Sequence, residues 1–445
     1  MAKKIIILGS GESGVGAAIL AKQKGFDVFV SDSSSLKEQF KKELDDAQIE
    51  WEEGGHTLEK VLVADEIVKS PGIPEKVPVM KAIREKGIYV ISEIELAYRY
   101  KGDSKIVAIT GSNGKTTTTT LIHHICLVGG LDAALVGNVG FSFARQVAIS
   151  PKPYYIVEVS SFQLDDIKTF KPDIAVLTNI TEDHLDRYDY KFENYIASKF
   201  RIIMNQDKND YFIYSEDDEV TIKYLEQFKN YSNPLPISMR KETNGAFIKD
   251  GDMYVRTGED FITMSVEDFF QKGKHNQYNT MAACLAAEKL DIRKDRIKEA
   301  VQTFQSLEHR MEPVITVRGV EFINDSKSTN VNSVWYALES MVKPTVLILG
   351  GVDKGNDYGI LKDLVKQNVR AIVCMGVDNS KIHEAFDDAG VPVVDTVNAQ
   401  DAVRASFELA QKGDVVLLSP ACASFDLFKN YEDRGTQFKQ AVRDL

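Results

Sequence analysis

The segment 106–121, "IVAITGSNGKTTTTTL", constrains the fold of this chain more than any other feature. An apolar run leads directly into a glycine-rich turn, and the turn leads into a helix that opens with Lys115 and Thr116. A buried strand, a loop and a helix N-terminus in this order form a phosphate site, because the loop N–H groups point at the phosphate oxygens. We therefore predict a nucleoside triphosphate site, with Lys115 on the β- and γ-phosphates and the Thr116 hydroxyl on Mg²⁺.

One position departs from the strict phosphate-loop pattern. That pattern has a glycine five residues before Gly114, and this chain has Ile109 there. Gly111 and Gly114 are both present and keep the backbone amides open to phosphate. The segment therefore reads as a phosphate loop of another lineage.

Short apolar runs alternate with helical segments along the whole chain, as in "KIIILG", "DVFVSD", "TVLILGG" and "DVVLLSP". Runs that are apolar throughout indicate strands buried on both faces, and intervening helices indicate parallel pairing. We predict the α/β class with three consecutive α/β domains: a Rossmann-like domain over 1–98, a central P-loop-type domain over 99–307 and a Rossmann-like domain over 308–445. Polar stretches at 98–105 and 306–313 mark the boundaries.

The charge balance excludes two classes of partner. The formal net charge is -12 and the pI is about 5.3, whereas surfaces for nucleic acid or anionic membranes need concentrated Lys and Arg. The four cysteines lie far apart without a Cys-x-x-Cys pair, which is typical of reduced thiols. The chain also has no apolar stretch of membrane-spanning length. We expect a cytoplasmic protein that binds neither nucleic acid nor a membrane.

A second glycine pattern opens the chain. Gly9, Gly11 and Gly14 form a G-x-G-x-x-G turn between a predicted strand and a predicted helix, and Asp32 ends the next strand. Small residues let N–H groups reach a diphosphate, and the acid can accept a hydrogen bond from a ribose hydroxyl. An NAD dehydrogenase and a protein for any other diphosphate-linked ribose satisfy this pattern equally.

Polar residues follow two further strands of the central region. "VEVSSFQL" places Glu158 at the end of an apolar strand, and "LTNITEDHLDRY" places Asp183 and His184 just after another. Because α/β sheets bind ligands at the carboxyl ends of their strands, we predict a metal or phosphate role there. Lys199, in the helix "NYIASKFRIIM", reads from the residues alone as a solvated lysine.

Three loops of the predicted third domain favour an anionic small substrate. Lys327 follows the strand "VEFIND", and Lys354 lies on a glycine loop. "LSPACASFDLF" predicts a strand that runs into a helix N-terminus near Ser424, which would attract an anion.

The segments "GSNGKTTTT", "VEVSSFQL", "NITEDHLDRY", "SKFR", "HNQYN", "EHRME", "INDSKSTN" and "LSPACASFDLFKNYEDRG" together resemble the Mur ligases of peptidoglycan synthesis. The resemblance spans all three predicted domains and accounts for Ile109 as the family's form of the loop. It implies that a substrate carboxylate takes the γ-phosphoryl group of ATP, and that an amino acid then attacks the acyl phosphate. The pattern is most similar to members that join D-glutamate to UDP-N-acetylmuramoyl-L-alanine, and we expect a monomer.

The resemblance also implies residue roles. The catalytic set would be Lys115, Glu158, His184 and Lys199. The ATP set would be Gly111, Ser112, Asn113, Gly114, Lys115, Thr116, Thr117, Asn279, Arg310 and Asp325. The UDP-substrate set would be Ser13, Asp32, Gly72, Asn138 and His184. The amino-acid set would be Lys327, Thr329, Lys354, Ser424, Phe425 and Tyr431. Two Mg²⁺ ions would be held by Thr116, Glu158, His184 and Lys199.

Lys199 would act as a carbamate formed with CO₂, because a carbamate is an oxygen ligand and an ammonium repels Mg²⁺. The loop after Asp32 reads Ser-Ser-Ser and lacks a basic residue that some relatives have. Three alternatives stay open: a sibling ligase, such as another Mur ligase or a folylpolyglutamate synthase; an NAD-dependent dehydrogenase; and a catalytically silent nucleotide-binding regulator.

Overall fold

The computed structural model describes residues 2–228, 231–269, 273–304, 308–341, 343–353 and 355–445. These residues form two compact units: the first unit holds 2–269 and 278–304, and the second unit holds 273–277 and 308–445. Three sheets with intervening helices confirm the α/β class. Residue 307, at one predicted domain boundary, lies outside the described residues, and both boundaries stay predictions. No helix among the described residues is long and apolar enough to span a membrane.

The first sheet has five parallel strands in the order β3-β2-β1-β4-β5. Its central strand carries Ile5, Ile6 and Ile7, which are fully buried, as a strand covered on both faces requires. The strands are β1 Lys4–Leu8, β2 Asp27–Ser31, β3 Glu50–Glu52, β4 Glu66–Lys69 and β5 Tyr89–Ser92. The helices are α1 Glu12–Gln23, α2 Glu38–Asp46, α3 Leu58–Val61, α4 Pro78–Glu85 and α5 Glu93–Tyr100.

The second sheet has nine strands in the order β14-β13-β12-β11-β10-β9-β6-β8-β7. Its strands are β6 Lys105–Thr110, β7 Ala133–Gly137, β8 Tyr154–Glu158, β9 Ile174–Leu177, β10 Tyr211–Ser215, β11 Asn233–Ser238, β12 Ala246–Lys249, β13 Asp252–Thr257 and β14 Asp260–Ser265. Its helices are α6 Lys115–Val128, α7 Phe143–Ile149, α8 Ser161–Asp165, α9 Phe192–Phe200, α10 Glu219–Leu225, α11 Lys274–Lys289 and α12 Lys294–Thr303. Strands β6 to β11 pair in parallel, and β12 to β14 form an antiparallel extension.

The position of Ile109 explains why it is not a glycine. Strand β6 continues through Thr110, and Ile109 is fully buried between Glu158 of β8 and Val176 of β9. The loop proper therefore begins only at Gly111, and a glycine at 109 would weaken the central strand.

The third sheet lies in the second unit, in the order β15-β16-β20-β17-β18-β19, with only the β15–β16 pair antiparallel among its described pairings. Its strands are β15 Glu312–Val317, β16 Val320–Asn324, β17 Thr345–Leu349, β18 Val369–Met375, β19 Val393–Thr396 and β20 Val415–Leu418. Its helices are α13 Val331–Glu339, α14 Lys362–Asn368, α15 Ser380–Phe386, α16 Ala399–Leu409 and α17 Tyr431–Arg443.

The predicted helix N-terminus near Ser424 is wrong. After β20 the chain runs without a helix until α17, which begins at Tyr431 and is capped by the Asn430 side chain. Ala421 has a positive φ of 61°, and Ala423 bridges to Val352. The bridge between Ala423 and Val352 holds this irregular loop against the turn that follows β17.

Two buried glutamates of α5 bind the segments around the second sheet. Glu93 accepts from the Ser142 hydroxyl at 2.7 Å and from the Ala144 N–H at 2.6 Å. Glu95 accepts from the N–H groups of Lys168, Thr169 and Phe170, each at 2.9 Å. Burial raises the pKa of Glu93 to about 7, and its hydrogen bonds offset only part of that effect. Burial also acts to raise the pKa of Glu95, but these three N–H groups and the Thr169 hydroxyl, which donates at 2.6 Å, hold that pKa below the ordinary value.

Because the pKa of Glu93 is raised and that of Glu95 is lowered, the two groups change the stability of the fold with pH in opposite directions. The folded chain keeps the Glu93 proton up to about pH 7, while the unfolded chain loses it near the ordinary value of 4.5, so this group lowers stability as pH rises through that window. We expect Glu93→Gln to flatten that slope and to raise the free energy of unfolding at pH 8 by roughly 1–3 kcal/mol. Denaturant titrations between pH 5 and pH 8 measure this.

Glu95→Gln is the matched control. Its folded-state pKa is lowered, so its contribution is present above its unfolded pKa and is lost as pH falls. The amide would also face three N–H donors, and we expect this variant to be less stable than the parent at pH 8. An unchanged pH slope in Glu93→Gln would contradict the assignment.

Candidate active site

The phosphate loop lies at the carboxyl end of β6, between the ends of β8 and β9. Gly111 has a φ of +143° and Gly114 a φ of +82°, both in the region that favours glycine. A Cβ on Gly111 would come within 1.9 Å of the Thr178 hydroxyl oxygen. Gly114 caps the N-terminus of α6, whose first residue is Lys115.

Side chains from the end of β9 hold this loop in place. The Asn179 side-chain oxygen accepts from the N–H of Asn113 at 3.0 Å, and the Thr178 hydroxyl donates to the carbonyl of Asn113 at 2.6 Å. The Ser112 hydroxyl donates to the carbonyl of Thr181 at 2.8 Å. The loop is thus fixed by a neighbouring strand end, as a preorganised phosphate cradle requires.

Two lysines converge on one carbonyl of the loop. Lys115 Nζ donates to the carbonyls of Gly111 at 2.7 Å and Ser112 at 2.8 Å. Lys199 Nζ donates to the same Gly111 carbonyl at 2.8 Å. The residue-level prediction of a solvated Lys199 is therefore wrong: the side chain is 2% exposed. Lys199 lies one helical turn after Tyr195, and both side chains belong to the buried face of α9.

The surroundings of Lys199 favour the neutral amine. Burial lowers its pKa well below the ordinary value, and the nearby charge of Lys115 lowers it further. The acids Asp183, Glu158 and Asp165 act in the opposite direction without reversing the shift. An unprotonated amine is a nucleophile, so the lowered pKa makes this lysine more reactive toward electrophiles than a solvated lysine.

Acidic and amide side chains surround the lysines. Glu158 ends β8 and is 1% exposed, and its Oε1 accepts from the Asn138 amide at 2.8 Å. His184 has a left-handed φ of 53° and lies 3.6 Å from an oxygen of Asp183. Non-glycine residues in this conformation cluster at functional sites.

The side chains that could bind a metal here suit Mg²⁺ better than a metal whose ligands all come from the protein. Thr116 and Glu158 offer oxygen, and His184 offers nitrogen. Among the described residues these side chains do not belong to a group of three close His, Cys, Asp or Glu ligands. Mg²⁺ suits such a site because it is usually bound by one or two carboxylates plus substrate phosphates and water.

Asn279 lies directly beside the phosphate loop. Its side-chain oxygen accepts from the Thr118 hydroxyl at 3.1 Å, and a Cβ on Gly114 would come within 2.4 Å of the same oxygen. Thr116 and Thr117 are buried in the first turn of α6.

The two remaining predicted ATP residues, Arg310 and Asp325, belong to the second unit. Asp325 is buried and accepts from the Ser328 hydroxyl at 2.5 Å and the Ser419 hydroxyl at 2.8 Å. Burial raises its pKa, while Arg310 acts to lower it.

Three of the predicted UDP-substrate residues share one cavity. Ser13, Asp32 and Gly72 line a cavity of about 410 Å³ at the carboxyl edge of the first sheet. Asn138 and His184 do not line it; Asn138 contacts Glu158, and His184 contacts Asp183.

Arg187, which the sequence interpretation missed, connects the first-sheet cavity to the segment that carries His184. It donates to the carbonyls of Pro71, Gly72 and Ile73. The loop that carries Gly72 is thereby held by the same short segment that carries His184.

The predicted amino-acid residues lie in the second unit and only partly group together. Lys327 Nζ lies 5.7 Å from the centre of the Tyr431 ring. Ser424 is buried, whereas Phe425 is 70% exposed and Thr329 is exposed. Lys354 lies outside the described residues.

Arg434 is the main residue of the second unit that the sequence interpretation missed. It is completely buried and donates to the Ser326 hydroxyl at 3.0 Å and to the carbonyls of Ser326, Gly350 and Cys422. It thus ties together the loops that follow β16, β17 and β20. The sequence shows an arginine within "YEDRG". The residues around it, however, give no sign that its side chain is buried.

Family models match all three regions of the chain. Residues 3–92 match the N-terminal domain of MurD-like Mur ligases, residues 109–287 match the Mur ligase middle domain, and residues 309–422 match the Mur ligase glutamate ligase domain.

Full-length relatives agree with these matches. The chain is 52% identical to UDP-N-acetylmuramoylalanine–D-glutamate ligase of Christiangramia forsetii and 52% identical to the enzyme of that name from Bacteroides fragilis, each over 100% of both chains.

Solved structures share the fold at low identity. UDP-N-acetylmuramate–alanine ligase MurC of Thermotoga maritima superposes with a TM-score of 0.64 at 16% identity over 100% of both chains. A pseudomurein peptide ligase of Methanothermus fervidus gives 0.63 at 19% identity over 99% of both chains.

The glycine at 111 offers a direct test of the loop. We expect Gly111→Ala to abolish measurable nucleotide binding, because the new methyl group would overlap the Thr178 hydroxyl and strain the backbone. Gly130→Ala is the matched control, since Gly130 also has a positive φ of +82° but has nothing within 4 Å of the added Cβ. Calorimetric titration with ATP and Mg²⁺ compares the two. Normal ATP binding by Gly111→Ala would contradict the proposed cradle.

Proposed function

The chain belongs to the Mur ligase family, and from this premise we propose that it adds D-glutamate to UDP-N-acetylmuramoyl-L-alanine at the expense of ATP, a step of peptidoglycan precursor synthesis. The observation that carries the proposal is the pair of lysines on the Gly111 carbonyl, beside Glu158 at the rim of the second sheet. A separate cavity of about 410 Å³ lies at the rim of the first sheet, and we assign it to the UDP part of the substrate.

The first half of the reaction joins two anions. The substrate carboxylate attacks the γ-phosphorus of ATP, the bond to the β-phosphate oxygen breaks, and an acyl phosphate and ADP result. The loop N–H groups and the Lys115 ammonium offset the charge that spreads over the transferring phosphoryl oxygens. Lys115 needs only to turn from its carbonyl partners to reach a phosphate, since its stem is flexible.

The second half forms the amide bond. The D-glutamate amine attacks the acyl carbon, the tetrahedral intermediate expels phosphate, and the nitrogen loses a proton. Lys327, Thr329, Lys354, Ser424, Phe425 and Tyr431 are proposed to orient the amino acid. The cation Lys327 and the aromatic Tyr431, which lie close together, suit a carboxylate on an apolar stem.

Mg²⁺ supplies charge neutralisation to the phosphates when it is bound. Thr116 and Glu158 would hold one ion, and His184 and Lys199 would hold the second. Lys199 contributes as a carbamate: its neutral amine attacks CO₂, and one proton is released. The low pKa and the full burial of Lys199 support this chemistry.

The alternatives are less well supported. An NAD dehydrogenase would use the first cavity but leave the phosphate loop and its two lysines without a role. A sibling ligase would share the ATP site and differ in its amino acid. We also propose that the enzyme acts as a cytoplasmic monomer.

The substrate proposal has a direct assay. Phosphate release from ATP is measured with UDP-N-acetylmuramoyl-L-alanine and, in parallel, D-glutamate, L-glutamate, lysine or diaminopimelate. We expect release only with D-glutamate, and a roughly thousandfold slower rate for Lys115→Ala, because one phosphate clamp is lost. Equal release with another amino acid would favour a sibling ligase, and near-normal release by Lys115→Ala would remove that residue from catalysis.

Lys199 is tested by chemical rescue. We expect Lys199→Ala to be inactive and short carboxylates such as formate or acetate to restore part of the rate, because they replace the carbamate oxygens. Lys115→Ala serves as the control that carboxylates should not rescue, since it lacks a cation. A fully active Lys199→Ala enzyme would rule out the carbamate.

A further inference from the structure

The cavity in the first sheet is built by loops from four adjacent strands. Gly9 to Ser13 follow β1, Asp32 to Ser34 follow β2, His56 lies beyond β3, and Ser70 to Ile73 follow β4. The strands lie in the order β3-β2-β1-β4, about 4.8 Å apart. The loops therefore stand in the same order along the edge of the sheet.

This order matches the order of groups in a nucleoside diphosphate. The N-terminus of α1, after β1, is the place for the diphosphate. Asp32, after β2, is the residue expected near the ribose. The next group along the row is His56, one strand farther from the diphosphate, where the base would lie.

Asp32 has little capacity left to recognise the base. Its Oδ2 accepts from the N–H and the hydroxyl of Ser10, both at 2.7 Å, and its Oδ1 accepts from the N–H of Ser34 at 2.8 Å. A carboxylate has about four acceptor positions, so three are already used to shape the loop. Asp32 thus fixes Ser10 and Ser34, which line the cavity, in addition to any contact with ribose.

The neighbours of His56 determine which ring nitrogen carries hydrogen. Burial acts to raise the pKa of Glu52, but hydrogen bonds from Thr57 and Ser31 hold that pKa below the ordinary value, so Glu52 is ionised and can only accept. The single Ser31 hydroxyl proton goes to Glu52 Oε1 at 2.7 Å. The Ser31 oxygen lies 2.7 Å from His56 Nδ1 and must therefore accept from an Nδ1–H.

The second ring nitrogen is consequently an acceptor. Burial lowers the pKa of His56, and the carboxylates of Asp32 and Glu52 offset this only in part, so the ring is neutral at neutral pH. Nε2 then carries a lone pair, and it has no hydrogen-bond partner within the described part of the chain.

We propose that His56 is a specificity-determining residue whose Nε2 accepts a hydrogen bond from N3–H of the uracil base, with Ser31 and Glu52 as positioning residues. The inference rests on the proposed function, since it concerns the UDP part of that substrate. Cytosine carries no hydrogen at N3 and would place a lone pair against Nε2. The site would thereby distinguish uridine from cytidine nucleotides, because an unmatched buried acceptor is costly.

The test uses the whole protein and three free nucleotides. Calorimetric titration compares UDP, CDP and the diphosphate of 3-methyluridine, which lacks the N3 hydrogen but keeps both carbonyls. We expect the unaltered protein to bind UDP roughly tenfold or more tightly than either analogue. We expect His56→Phe to weaken UDP binding and to bring the three affinities close together. His56→Gln, which offers an amide oxygen, should keep part of the preference, and Ser31→Ala should reduce it.

The outcomes separate the inference from the proposed function. UDP binding by the unaltered protein with no preference over 3-methyl-UDP would overturn the role of His56 and leave the substrate proposal standing. This comparison needs no variant, so it decides the matter even if His56→Phe fails to fold. A folded His56→Phe with the full UDP preference would also overturn it. No UDP binding at all would overturn both.

Discussion

The contact of Lys115 and Lys199 with the Gly111 carbonyl is the interaction on which the rest of the site depends. Two side-chain cations cannot share a buried oxygen at low cost, because desolvation and mutual repulsion both disfavour the charged forms. The lowered pKa of Lys199 relieves that conflict. The shift favours the uncharged form of Lys199, and one carbonyl can then accept from both side chains at a lower electrostatic cost.

The geometry that creates this contact is set by the second sheet. Because β6 lies between β8 and β9, the phosphate loop, Glu158 and the Thr178–Asn179 turn meet at one rim. Helix α9 then brings Lys199 against the loop from the side. The same principle operates in the first sheet, where loops from four neighbouring strands line one cavity. Arg187 connects the two rims through the loop that carries Gly72.

Much of this arrangement could be predicted from the sequence because the strands are continuous apolar runs and the loops carry glycine. The strands around Ile5 and Ile109 are confirmed for this reason. The burial of Lys199 could not be predicted from the residues of α9 alone. The buried face of this helix is set by the phosphate loop against which it packs. Residues such as His56 and Arg434 were missed because their partners are distant in sequence: Ser31 lies on β2 for His56, and the partners of Arg434 lie in the loops that follow three strands. The loop at Ser424 was misread because a strand followed by small residues also fits a helix start.

Arg434 has a consequence for the order in which the protein is made. It stands in the last helix, α17, yet it holds loops that emerge from the ribosome up to about a hundred residues earlier, such as the one at Ser326. Domains generally fold in sequence during synthesis, so the phosphate cradle of the first unit can form while translation continues. The rim of the second unit must wait for the final segment. The first unit can therefore complete its fold while the loops that Arg434 joins in the second unit are still without their shared partner.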